Sequence, residues 1–186
     1  MPQVTEIAEI LSADDLATLL SGYDRDLVVA LLEKSLPSQY AAAQPYFTAA
    51  IDTFYRHPAA DAPERQGLDI KDRQRCIVAL QAGTGQTMPL AVHIYISLME
   101  EITPHELAHV ILLAGLYTGV PNFFTGFEVL AETLHVLKAL AEAGRKDPRD
   151  IAQVIQAAFA PAHTVDTETL HAMGIDLSPD RPIRAF

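Results

Sequence analysis

A stripe of polar side chains on an apolar helix is the part of this sequence best suited to chemistry. The segment from Thr87 to Glu101 is apolar almost all round, which is typical of a helix buried on several sides. Polar residues interrupt it at spacings of seven, four and three, which places them on one helix face: Gln86, His93, Ser97 and Glu100. Because an unpaired polar group is costly to bury, these side chains need partners. We therefore predict that this face, called the polar stripe below, forms the site.

His93 is the member of the polar stripe that could move a proton. An imidazole with an ordinary pKa of about 6.5 suits acid/base chemistry near neutral pH. A histidine inside an apolar helix can equally be a core residue whose hydrogen bonds are satisfied, and this alternative stays open. Glu100 lies two helical turns beyond His93, so we expect any contact between them to run through water or to involve another subunit.

A second histidine pattern, His105-Glu-Leu-Ala-His109, matches the HExxH signature of zinc metalloproteases. Two histidines at this spacing could bind zinc from one helix face, with Glu106 as the base. However, Thr103, Pro104 and Glu106 also form a capping box at a helix start, which explains Glu106 without a metal. No third ligand has a compelling spacing, although acidic and histidine side chains lie downstream at Glu128, Glu132 and His135. We predict that no metal is bound.

The helix before the polar stripe carries a thiol and two cations. Cys76 is close in sequence to Arg73 and Arg75, and cations lower a thiol pKa. Its apolar neighbours nevertheless predict a buried, inert cysteine: Ile77, Val78 and Leu80. Arg73, like Lys71, is a candidate to hold a substrate carboxylate, and the alternative is a solvated helix start.

The order of these pieces resembles the carboxymuconolactone decarboxylase family, whose redox branch contains the alkylhydroperoxidase D-like proteins. The resemblance rests on His93, the turn Ile102-Thr103 with Glu106, and the pattern Tyr117-x-Gly119-x-Pro121. Upstream, Leu68-Asp-Ile-Lys-Asp-Arg73 is similar to the family's lead into the helix that precedes the histidine helix. The similarity covers roughly Leu68 to Leu137.

The sequence departs from the family pattern at two places. The redox branch carries Cys-x-x-Cys shortly before its histidine, and Gln86 and Pro89 occupy those positions here. Glu101 replaces the glycine that is usual before the Ile-Thr turn, so we expect the turn to differ locally. The resemblance thus favours the decarboxylase-like branch, or a relative with another substrate, over a peroxidase.

The resemblance implies an enzyme that acts on a small carboxylated lactone or related acid, without a cofactor. It implies His93 as acid/base, with Glu100 and Tyr117 as further catalytic candidates and Gln86, Ser97 and Arg73 as substrate-binding candidates. For Tyr117, aromatic packing at a helix end is an equal alternative. A non-catalytic or ligand-binding helical oligomer, with a structural His93, is the second hypothesis. A peroxide-related protein without the cysteine pair is the third.

The composition of the chain limits which partners we expect it to bind and where we expect it to be located. The formal net charge of −11 disfavours nucleic acid and anionic membranes, since nucleic-acid binding depends on Lys and Arg facing phosphates. A single cysteine suits a reducing compartment. The first residues show no signal-peptide pattern, and no apolar run reaches the ~20 residues of a membrane span. We expect a soluble, cytoplasmic protein.

The remaining pattern predicts one all-α domain over residues 1–186, an alkylhydroperoxidase D-like helical bundle. We expect N-terminal helices over residues 1–60, a family core over residues 68–137 and a C-terminal arm over residues 160–186. A linker is predicted at His57–Gly67 and a short helix at Asp166–Met173. No Lys or Arg occurs between Cys76 and Leu137, which predicts burial partly in a subunit interface. The family forms trimers or hexamers, so we expect a homotrimer or homohexamer.

Overall fold

The computed structural model describes residues 6–7, 9–35, 38–55 and 68–159 of the 186-residue chain. All regular structure in these residues is helical: α1 (Ala13–Leu20), α2 (Arg25–Glu33), the 3-10 helix η1 (Ser38–Ala43), α3 (Gln44–Tyr55), α4 (Ile70–Thr84), α5 (Thr87–Met99), α6 (Pro104–Thr118), α7 (Val120–Glu142) and α8 (Pro148–Phe159). The predicted all-α class is confirmed. The predicted linker at His57–Gly67 and the C-terminal arm with its short helix lie outside the described residues.

Helix starts occur where the capping residues predict them. Ser12 caps α1 in a capping box with Asp15, and Thr103 caps α6 in a box with Glu106. Asp69 caps α4 through its carboxylate, which accepts a hydrogen bond from the Asp72 backbone N–H. These caps fix where the helices around the polar stripe begin.

Helix α5 lies at the centre of the bundle. Every residue from His93 to Met99 is buried, and α4, α7 and α8 pack around the helix. Helix α6 packs on α4 and α7, while α1 contacts α5 and α7. The helix that carries the polar stripe is therefore enclosed on several sides, as its apolar composition predicts. None of the described helices combines the length and apolar character that crossing a bilayer requires.

Three helices end in the same left-handed turn, and one of them does so without glycine. Gly85 after α4 and Gly144 after α7 have φ values of 68° and 67°. Glu101 after α5 has a φ of 60° and is the one non-glycine residue with positive φ in the described part of the chain. The backbone N–H groups of Glu101 and Ile102 donate to the carbonyls of Leu98 and Ser97, which completes a Schellman motif. The turn keeps a glycine-type geometry although glycine is absent.

Replacing Glu101 with glycine is expected to raise the free energy of unfolding by about 1 kcal/mol, because a side chain in the left-handed region costs about that much. The substitution also removes an ion pair between Glu101 and Lys71, with Nζ and Oε2 3.2 Å apart. Both side chains are exposed, so this pair contributes little. Glu101→Ala is the matched control, because it loses the ion pair and keeps the strained φ. In urea unfolding, Glu101→Gly should have a higher free energy of unfolding than the wild type and Glu101→Ala. Equal stability of the two variants would contradict a strained turn.

Candidate functional site

The polar stripe meets two side chains from other helices at His93. The Gln74 Oε1 atom on α4 lies 3.1 Å from His93 Nδ1, and the Tyr55 hydroxyl at the end of α3 lies 3.3 Å from the same nitrogen. Gln74 Nε2 donates to the Tyr55 hydroxyl over 3.1 Å, which closes a three-membered cluster. All three residues are buried, and His93 is 7% exposed. We call Tyr55, Gln74 and His93 the histidine cluster.

Burial sets the protonation of the histidine cluster. Desolvation lowers the pKa of His93 from 6.5 to about 4, so the ring is neutral at neutral pH. Burial, together with the charge of Glu100, raises the pKa of Tyr55 and keeps its hydroxyl protonated. His93 Nε2 has no hydrogen bond within the described residues. The cluster thus holds a neutral imidazole by one nitrogen and leaves the other available.

A second cluster forms at the far end of the polar stripe, around Glu100. Arg25 binds its carboxylate through two nitrogens, with Nε 2.8 Å from Oε1 and Nη2 in contact with Oε2. The Tyr23 hydroxyl donates to Oε1 over 3.0 Å. The Glu100 side chain is 5% exposed and that of Arg25 is 48% exposed. The buried carboxylate is therefore neutralised by a cation from the N-terminal helices, and Tyr23, Arg25 and Glu100 form the carboxylate cluster.

Replacing Arg25 with alanine is expected to lower the free energy of unfolding by about 2 kcal/mol, since it leaves the Glu100 charge buried with Tyr23 alone. We place the loss below that of a fully buried pair because half of the Arg25 side chain is exposed. Arg145→Ala is a control, because its pair with Asp150 is longer, at 3.6 Å, and the Asp150 carboxylate is exposed where that of Glu100 is buried. Urea unfolding measures both. The Arg25→Ala/Glu100→Gln double variant should recover part of the loss, and a loss equal to that of Arg145→Ala would contradict the reasoning.

The other predicted site residues lie apart from these clusters. Gln86 is exposed at the start of α5, and Tyr117 is 91% exposed at the end of α6. Arg73 donates from Nε to the Leu68 carbonyl and from Nη1 to the Phe54 carbonyl, so it joins α4 to the end of α3. Ser97 is fully buried, and its hydroxyl has no hydrogen-bond partner in the described part of the chain. The structure thus places His93 and Glu100 in buried polar clusters on α5, with Ser97 between them on the helix.

Local sequence patterns do not reveal the partners of His93 and Glu100. Three of these partners lie on other helices, namely Tyr55, Gln74 and Arg25, and Tyr23 lies in the turn before α2. Each is far from its partner in sequence. One signal was available on α4, where Gln74 shares the buried face of Val78 and Ala82 at spacings of four. A polar residue at a core position indicates a buried hydrogen-bond partner.

The His105 and His109 pair lies on the exposed face of α6. The two ring centroids are 4.3 Å apart, and His109 Nδ1 lies 3.0 Å from the His105 carbonyl oxygen. Glu106 accepts hydrogen bonds from Thr103 and from Arg75, whose Nη2 is 2.9 Å away, and these contacts lower its pKa to about 2. Within residues 6–7, 9–35, 38–55 and 68–159, no three His, Cys, Asp or Glu side chains gather in a way that could hold a metal ion. The role of Glu106 here is to cap α6 and to pair with Arg75.

The prediction that Cys76 is buried is wrong. Its thiol is exposed, because α4 directs Gln74, Val78 and Ala82 into the core and turns the opposite face outward. That outer face contributes to an open apolar groove of about 250 Å³. The groove is lined by Phe54, Leu68, Arg73, Cys76, Ile77 and Leu80. Of the apolar neighbours of Cys76, Ile77 and Leu80 therefore line a surface groove, whereas Val78 lies in the core.

Comparison with known families gives a match over much of the helical bundle. The model of the carboxymuconolactone decarboxylase family matches residues 45–132, a range that contains the whole histidine cluster and Glu100. Neither the curated proteins nor the solved structures gave a match. The match and the all-helical bundle confirm the resemblance that His93, the Ile102-Thr103 turn and the Tyr117–Pro121 pattern indicate. Residues 45–132 of the chain form a domain of the carboxymuconolactone decarboxylase family.

Proposed function

We propose that the protein is a decarboxylase-like enzyme that acts on a small carboxylated lactone or related acid, with His93 as its acid/base and without a cofactor. The observation that carries the proposal is the histidine cluster. It holds a buried, neutral imidazole through Nδ1, while Nε2 stays free of other described side chains. The family assignment supports the same reaction class.

The reaction needs little from the protein beyond a proton and a site of low polarity. When the bond between the ring carbon and its carboxylate breaks, carbon dioxide leaves and the electron pair passes into the conjugated lactone. One proton then adds to a carbon of the lactone. In total, a carboxylate and a proton give carbon dioxide and the protonated product. A histidine that takes up a proton and returns it to carbon supplies this step. Transfer of the carboxylate from water to a buried site disfavours its charged form and assists the loss of carbon dioxide.

The proposal is tested by carbon dioxide release from carboxymuconolactone with the purified protein. Release above the uncatalysed rate supports the substrate class. If the wild-type protein releases none, this substrate is excluded, and a panel of other small lactone acids decides whether the reaction class survives.

The burial of His93 favours a second candidate, a ligand-binding helical oligomer in which the neutral imidazole is a core residue with satisfied hydrogen bonds. In that case His93→Ala would change stability without changing ligand affinity. A folded His93→Ala variant that binds small lactone acids as tightly as the wild type would favour this candidate over the enzyme.

We also propose that the chain assembles with copies of itself through the exposed face around the α6–α7 turn. Large apolar side chains are exposed there: Leu113, Leu116, Tyr117 and Val120. The segment from Cys76 to Leu137 has no Lys or Arg, which is unusual for a solvated surface and typical of an obligate interface. A homotrimer or homohexamer would let the exposed Tyr117 reach a neighbouring subunit.

Sedimentation of two matched variants tests the assembly. Tyr117→Glu places a charge on the proposed face, whereas Tyr46→Glu places one at another tyrosine of similar exposure, 91% and 81% respectively. We expect the first variant to dissociate and the second to sediment as the wild type does. A monomeric wild-type protein would exclude the assembly.

A further inference from the structure

The side-chain amide of Gln74 lies between Tyr55 and His93. Gln74 is fully buried, and its amide is held between two partners. Its Nε2 donates to the Tyr55 hydroxyl, and its Oε1 faces His93 Nδ1 at 3.1 Å. An amide oxygen can only accept a hydrogen bond, so with the amide in this orientation His93 Nδ1 is the donor to Gln74, and the Tyr55 hydroxyl oxygen, 3.3 Å from the same nitrogen, is a second acceptor.

This arrangement leaves the other ring nitrogen without a proton. A neutral imidazole carries one N–H, and when that proton is on Nδ1 the lone pair is on Nε2. Burial keeps the ring neutral, as its lowered pKa of about 4 indicates. A glutamate at position 74 would act in the opposite direction, because a carboxylate beside Nδ1 would stabilise the doubly protonated ring. The neutral amide therefore favours a base over an acid in the free protein.

We propose that Gln74 is a positioning residue that fixes His93 as the Nδ1–H tautomer, so that Nε2 meets the substrate as a proton acceptor. The reaction part of this inference rests on the proposed function. The substrate it implies is a lactone acid whose carboxyl group takes up its proton on entering the site, where burial disfavours the charged form.

The proposed step neither takes up nor releases a proton overall. The O–H bond of the substrate carboxyl group breaks, and an N–H bond forms at His93 Nε2. The carbon–carboxylate bond then breaks, carbon dioxide leaves, and the electron pair enters the conjugated lactone. Nε2 returns the same proton to carbon, so the acid gives carbon dioxide and the product without net uptake of a proton.

The tautomer is tested directly by ¹⁵N NMR of the histidine-labelled wild-type protein at pH 7. The His93 signals are assigned by their loss in His93→Gln. We expect the pattern of an imidazole with its proton on Nδ1 and a lone pair on Nε2. A proton on Nε2 would overturn the inference, whatever the activity of the protein, and the measurement needs no folded variant at position 74.

Two substitutions of Gln74 test the consequence for catalysis. Gln74→Met keeps the approximate volume but removes the amide, and we expect kcat to fall about 10–100-fold with little change in KM, as for other orienting partners of a reactive histidine. Gln74→Glu should restore hydrogen bonding and raise the pKa of His93, so that the pH profile of kcat/KM moves up by about one unit or more. Wild-type kcat in Gln74→Met, or an unmoved profile in Gln74→Glu, would overturn the role. An Nδ1–H tautomer in a protein that releases no carbon dioxide from carboxymuconolactone or from the panel of other lactone acids would support the positioning and refute the proposed reaction.

Discussion

Replacing His93 with alanine is expected to lower kcat/KM for decarboxylation by about 10²–10⁴-fold, the usual contribution of a positioned acid/base. The reason is that no other titratable side chain joins Tyr55, Gln74 and His93 in the described part of the chain. Burial raises the pKa of Tyr55, which leaves its hydroxyl a poor substitute. The loss is measured by carbon dioxide release over a range of substrate concentrations, with folding checked by circular dichroism.

A matched control separates His93 from the protein's other histidine pattern. His109 is exposed on α6 and belongs to the HExxH match, so His109→Ala should leave turnover unchanged if His93 carries the chemistry. A large loss in His109→Ala would instead assign the chemistry to the exposed histidine pair on α6. A folded His93→Ala variant that keeps more than a tenth of wild-type turnover would show that His93 is not the acid/base.

Acid is expected to destabilise the fold through the same histidine by roughly 3 kcal/mol. The pKa of His93 falls from 6.5 to about 4 on folding, and each unit corresponds to roughly 1.4 kcal/mol. Between these values the unfolded chain binds a proton that the folded chain does not, so stability rises with pH in this interval. The contribution is present above about pH 6.5 and is lost as the pH falls through the interval to about 4. Urea unfolding at pH 7, 6, 5 and 4.5 measures the slope.

The His93→Gln variant is the reference for this experiment, because glutamine is polar and does not titrate. Other groups also bind protons over this range in a chain with a formal net charge of −11, and the difference between the two pH curves removes their contribution. The change with pH in the free energy of unfolding should differ more and more between the wild type and His93→Gln as the pH falls below about 6.5. Parallel curves would show that the pKa of His93 is not lowered in the folded protein.

Much of the fold can be predicted from local sequence. The capping boxes at Ser12 and Thr103 give two helix starts, and the almost entirely apolar composition of α5 predicts its central position. The spacing of His93 and Glu100 also predicts a polar face on α5, since helix periodicity is a local property. The expectation of N-terminal helices over residues 1–60 gives less detail, since this segment contains the 3-10 helix Ser38–Ala43 before the chain becomes α-helical at Gln44.

The contacts that define the site join residues far apart in sequence, so local patterns do not predict them. Tyr55 lies 38 residues before His93, and Arg25 lies 75 residues before Glu100. Periodicity shows which face of a helix is buried but carries no information about which distant side chain meets it. Cys76 illustrates the same limit, because apolar neighbours occur both in a core and along a surface groove.

The carboxylate cluster joins the family core to a segment that the family match does not include. Glu100 lies inside residues 45–132, whereas Tyr23 and Arg25 lie before them. The N-terminal helices therefore act as a tethered ligand of the core, and their own chain keeps that ligand at a high effective concentration. A core separated from them would bury an uncompensated carboxylate on its central helix. A peptide that supplies residues 9–35 in trans would then be expected to bind this core, and the affinity would measure how strongly the two parts are coupled.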